Sequence, residues 1–79
     1  MFSERASELA AIRHPSAKLS ARERMIVHLM SAGLSNKEIA CRLYIAPETV
    51  KSHAKNIFWK LTVRRRAQAV YRAKALGLL

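Results

Sequence analysis

The chain has 79 residues, with 15 lysines and arginines against 5 acids and a formal charge of +10. A chain of this length holds one domain at most and buries only about 60% of its unfolded surface, so helices are the economical way to build its core. The charge asks for an anionic partner, and DNA, RNA or an anionic membrane surface would all qualify; from Thr49 onward there are eight basic residues and no acid.

Residues 1–18 read as a leader or linker. Phe2, Ala6, Leu9 and Ile12 recur at roughly helical spacing, and His14-Pro15-Ser16 interrupts them, because a proline biases the residue before it away from helix. A short, weak helix is expected there, either trailing a larger upstream domain or bracing the core. Residues 19–79 form the domain proper. Ser20 and Glu23 have capping-box spacing and start a helix whose stripe is Ile26, Leu29 and Met30, and Gly33 ends it because glycine takes the left-handed conformation freely. Ser35 and Glu38 repeat the box and start a shorter helix with Ile39, Ala40 and Leu43 inward, stopping near Tyr44-Ile45-Ala46. Two short helices joined by a tight turn make a helix-turn-helix, the arrangement that sets its second helix into the DNA major groove.

That second helix runs from about Pro47 to Leu61. At about 100° per residue, Val50, Ala54, Ile57, Phe58 and Leu61 share one stripe, while Glu48, Thr49, Lys51, Ser52, Lys55, Asn56 and Trp59 cover the rest. Pro47 suits the first turn, where its missing N–H costs nothing, and Glu48 suits the positive end of the helix dipole. The outer face offers donors and acceptors fit for phosphates and base edges. By itself such a segment is equally an ordinary surface helix; the helix upstream and the basic tail favour a recognition helix. Asn36 and Lys37 sit in the first turn of the leading helix, where free N–H groups attract a phosphate. After Thr62-Val63-Arg64-Arg65-Arg66, a last helix is expected through Ala67, Val70, Ala73 and Leu76, closed by Gly77. Val70, Ala73 and Leu76 read as an apolar edge available for pairing.

Other chemistries lack their residues. The single Cys41 cannot form an intramolecular disulfide and reads as a simple packing residue; with no signal peptide, a reducing cytoplasm is expected. His14, His28 and His53 are far apart with no cysteine or carboxylate cluster near them, so no metal or other cofactor is expected. With glycine only at 33 and 77 there is no Gly-rich phosphate loop, and no nucleophile and base pair suggests an enzyme. No apolar run approaches the roughly 18 residues of a spanning helix. A basic membrane-surface module would not need two capping boxes and a glycine stop, so no membrane partner is expected.

Taken in order, Leu19-Ser20-x-Arg22-Glu23, Ala32-Gly33-Leu34-Ser35-Asn36-Lys37-Glu38-Ile39-Ala40, Leu43, Thr49-Val50-Lys51-x-His53, Asn56-Ile57, Lys60-Leu61 and Gln68-Ala69-Val70 resemble the LuxR-type DNA-binding domain, also called GerE or FixJ type. The likeness runs from about Ser16 to Leu79. It favours this family over a promoter-reading sigma-factor region, which also combines a helix-turn-helix with a basic tail. What the resemblance implies is an all-α, compact four-helix output domain of a bacterial transcriptional regulator, such as a response regulator. Typically a sensory domain lies upstream, and RNA polymerase is a further partner. Carried over by position, the resemblance implies base contacts from Lys51, Ser52 and Lys55. It implies phosphate contacts from Asn36, Lys37, Thr49, His53, Arg64, Arg65 and Arg66. A rim-packing role for His53 remains open beside the phosphate one. The last helix is implied to pair two copies on an inverted-repeat site.

Three departures from the family pattern carry physical consequences. Ala46 stands where a capping serine is common, a loss of about 1 kcal/mol that Pro47 partly offsets. Thr62 replaces the usual glycine, so a left-handed backbone there would strain a β-branched residue. Arg65 replaces the usual asparagine and adds charge to a basic turn. Trp59 lies outward on the line of Ser52, placed to stack on a sugar or meet a partner, although half-buried packing on Lys55 is the expected outcome.

Overall fold

Ser20 and Ser35 set the first half of the fold. In the computed structural model, which describes residues 18–79, each serine Oγ accepts the backbone N–H three residues on, at 3.1 Å from Glu23 and from Glu38. Each glutamate Oε1 accepts the serine N–H in return, at 2.8 Å. The helices that follow are α1 (Ala21–Ser31) and α2 (Asn36–Leu43), with α3 (Pro47–Leu61) and α4 (Arg66–Ala75) completing an all-α fold of four helices among the described residues. The expected leader helix through Phe2, Ala6, Leu9 and Ile12 lies outside the described residues.

All four helices end by one device. The residue after the last turn takes positive φ, at Gly33 (91°), Tyr44 (58°), Thr62 (58°) and Gly77 (74°). The next residue's N–H then turns back to a carbonyl of the last turn: Leu34 to Leu29, Ile45 to Ala40, Val63 to Phe58 and Leu78 to Ala73. This is the Schellman closure, with its usual apolar contact, since Leu34, Ile45, Val63 and Leu78 are each half-buried against the core. Glycine provides the left-handed residue twice, and a tyrosine and a threonine bear the Cβ penalty in the other two. Thr62 keeps the left-handed backbone of the glycine it replaces in the family pattern, so the strain that the sequence made conditional is present; the left-handed backbone at Tyr44 had no local signal.

The core is built around α3, which packs on α1, α2 and α4; α4 packs on α1 and α3 but not on α2. Ile26, Val27, Ile39, Val50, Ile57, Leu61, Ala69 and Ala73 are fully buried. The register of α4 corrects the sequence reading. Ala73, expected on a free pairing edge, is a core residue, and Ala67, aligned with it at three-residue spacing in the sequence reading, is exposed. The reason is geometric: a strict three-residue spacing drifts by about 60° per step, so Ala67 and Leu76 cannot share a face. Ala69 and Ala73, four apart, make the true inner stripe, and Gly77 folds Leu78 back beneath it.

Candidate nucleic-acid interface

Helix α3 begins without a side-chain cap: Ala46 offers no acceptor, and Pro47 supplies the first turn's φ instead. With Val50, Ala54, Ile57 and Leu61 in the core, Thr49, Lys51, Ser52 and Lys55 are all exposed and His53 is half-buried. At about 100° per residue, Thr49 and His53 fall on one flank of Ser52, and Lys51 and Lys55 on the other.

On the lysine flank, Asn36, Lys51, Lys55, Arg64, Arg65 and Arg66 line one open hollow together with Ala54 and Phe58. Residues from α2, from α3 and from the turn before α4 thus meet at one basic concavity. Lys37 is exposed on α2, and Ser52, Thr49 and His53 lie outside this hollow.

Two internal contacts hold these elements in place, and neither has a signature in the sequence. Glu23 Oε1, already capping Ser20, also accepts from Lys60 Nζ at 2.8 Å, which ties the end of α3 to the start of α1. Burial pushes the Glu23 carboxyl up, but the Lys60 hydrogen bond, the Ser20 N–H and the Lys60 charge together outweigh it and hold the group below its ordinary value. The second contact is made by Arg66. Its Nη1 donates to the Leu34 carbonyl at 3.0 Å and its Nη2 to Asn36 Oδ1, so its guanidinium is partly committed inside the protein, whereas Arg64 and Arg65 are exposed. At the start of α4, Gln68 Oε1 accepts from the N–H groups of Arg64 and Arg65 at 3.1 and 3.2 Å. The reciprocal half of a capping box is missing because an arginine side chain has no acceptor.

Trp59 is 73% exposed, so the half-buried packing on Lys55 expected for it is not found; the core stripe lies on the other side of α3. It borders an open hollow with Phe58, Thr62, Val63 and Arg64, and Tyr71, 76% exposed, borders another that shares Thr62 and Val63. Cys41, expected to pack, is exposed. Among the described residues no group of histidines, cysteines and acids is placed to hold a metal ion, and no helix is long and apolar enough to cross a membrane.

The helix-turn-helix of α2 and α3, with its basic, amphipathic second helix, defines a DNA-binding domain of the kind that regulates transcription. Residues 17–73 match the family described as bacterial regulatory proteins, luxR family, and the chain belongs to that family. It is 47% identical over 55 residues to the CsgBAC operon transcriptional regulatory protein of Escherichia coli, covering 70% of this chain and 26% of that protein. It is 44% identical over 59 residues to an HTH-type transcriptional regulator of Mycobacterium bovis, covering 75% of this chain and 7% of the relative. The chain therefore spans only a small part of the length of these relatives. Among solved structures it resembles one of the transcription factor GerE, with a TM-score of 0.73 and 39% identity over 77% of this chain and 91% of that one.

Proposed function

We propose that the domain binds a specific double-stranded DNA sequence with α3 in the major groove. Lys51, Ser52 and Lys55 face base edges, and Asn36, Lys37, Thr49, His53, Arg64 and Arg65 face phosphates on the two groove walls. The observation that carries this reading is the convergence of Lys51, Lys55, Arg64 and Arg65 with Asn36 in one basic hollow beside an otherwise exposed recognition face. Residues 19–79 act as the DNA-binding unit of a larger cytoplasmic regulator, with a sensory domain upstream, such as a response-regulator receiver, and RNA polymerase as the machinery it addresses. Two copies pair on an inverted repeat through the outward face of α4, where Ala67, Tyr71 and Ala75 recur at four-residue spacing and all are exposed.

The electrostatic part of the reading is tested by titrating a labelled duplex at increasing salt. About 5 neutralised phosphates give a log-log slope of roughly −4 to −5. A flat response would discard phosphate neutralisation as the source of affinity.

A further inference from the structure

Arg66 was grouped by sequence with Arg64 and Arg65 as a phosphate ligand, yet its guanidinium bridges two elements that do not otherwise pack, α4 and the start of α2. Building on the proposed DNA reading, we infer that Arg66 is a positioning residue, which holds Asn36 Oδ1 and so leaves the Asn36 amide –NH₂ as the outward phosphate donor.

The inference follows from donor and acceptor chemistry. A guanidinium carries only donors, so the amide end that meets it has to be the carbonyl oxygen. The –NH₂ of Asn36 is then the end left for the basic hollow it shares with Lys51, Lys55, Arg64 and Arg65. A phosphate oxygen only accepts, so an amide turned the other way would present it with a repelling oxygen. The bond from Arg66 Nη1 to the Leu34 carbonyl fixes the guanidinium against the turn between α1 and α2, so Asn36 is gripped by a braced partner. The capping box at Ser35 and Glu38 uses the N–H groups of those two residues. The N–H groups of Asn36 and Lys37 remain on the same exposed end of α2 as the amide.

The test is a double-mutant cycle on the full 79-residue chain with a duplex selected by the wild-type protein, read as binding affinity, salt slope and melting temperature. Arg66→Lys keeps the charge but cannot hold Leu34 and Asn36 together. It should weaken binding about tenfold or more, as should Asn36→Ala, which is the order of one lost hydrogen bond to a charged group. Arg66→Lys should cost nothing further in the Asn36→Ala background, and the salt slope should stay at its wild-type value throughout. Additive losses would show that Arg66 acts on DNA independently of Asn36 and overturn the inference. Lower melting temperatures with unchanged affinity would overturn it too, by showing a purely structural bridge. Should Arg66→Lys fail to fold, Asn36→Asp decides: it keeps the acceptor for Arg66 and removes the donor, so the fold should hold and affinity should fall at least as far as in Asn36→Ala. Unchanged affinity in Asn36→Asp would overturn the inference. A wild-type chain that binds no duplex would remove the DNA reading itself, and this inference with it.

Discussion

Thr62 turns the chain left-handed at φ 58°, ψ 46° because α3 must stop there for Val63 N–H to reach the Phe58 carbonyl. An L-residue in that region carries roughly 1–2 kcal/mol of strain, and a β-branched one is crowded further. Thr62→Gly is therefore expected to raise stability by about 1 kcal/mol, seen as a higher denaturant midpoint at unchanged slope. Equal or lower stability would show that the threonine is relieved by its surroundings. Ala46→Ser is expected to add about as much, by supplying the acceptor that the first turn of α3 lacks. Both positions were legible in the sequence because the family pattern names a residue type whose backbone role is known. Tyr44 was not, although it adopts the same geometry as Thr62: nothing about a tyrosine marks it as left-handed, and only Pro47 downstream showed that α2 had to end nearby. Trp59 was misjudged for a different reason, since a large aromatic usually finds cover and this one has the core stripe on the opposite side of its helix.

Between elements, the Glu23–Lys60 pair joins the recognition helix to the start of α1, and its strength depends on pH. The Glu23 carboxyl is held below its ordinary value, and Glu38 is lowered as well, by the Ser35 N–H and then the Ser35 side chain. A depressed carboxylate contributes stability that is complete above the ordinary value near about 4.3 and is lost as pH falls through the lower folded one. Lys60→Met keeps the apolar stem and removes the charge. It is expected to cost about 1–2 kcal/mol at neutral pH, discounted from a fully buried pair because Lys60 is partly solvated. The deficit should shrink as pH falls below the ordinary carboxylate range and Glu23 becomes protonated in both proteins. Denaturant melts between acid and neutral pH measure this, and a deficit independent of pH would mean that the loss is one of packing. The capping half of Glu23's work was readable from three-residue spacing. Its ion pair joins residues 37 apart, and only the folded chain brings them together. The inner face of α4 was obscured similarly: alanines and a valine fit more than one stripe, and packing on α1 and α3 selects Ala69 and Ala73.

Across the whole molecule, the proposed function gives the two sides of the domain different partners: DNA on the basic hollow and the outer face of α3, and a second copy on the outward face of α4. A single helix of 10 residues presenting two alanines and a tyrosine falls far short of the roughly 1,200 Å² of a stable interface. The isolated chain should thus sediment as a monomer and pair when an inverted-repeat duplex holds two copies close. A stable dimer without DNA, or one domain per palindrome at saturation, would contradict that account. The central claim is that α3 reads sequence while α2 supplies affinity, and selecting bound duplexes from a random pool with wild type, Lys55→Ala, Ser52→Ala and Lys37→Ala tests it most directly. The account predicts that Lys55→Ala and Ser52→Ala change the preferred sequence, at about 1–3 kcal/mol per lost base contact, whereas Lys37→Ala weakens binding to all sequences alike. A shifted preference in Lys37→Ala, with Lys55→Ala merely weaker on the same site, would reverse the roles assigned to the two helices.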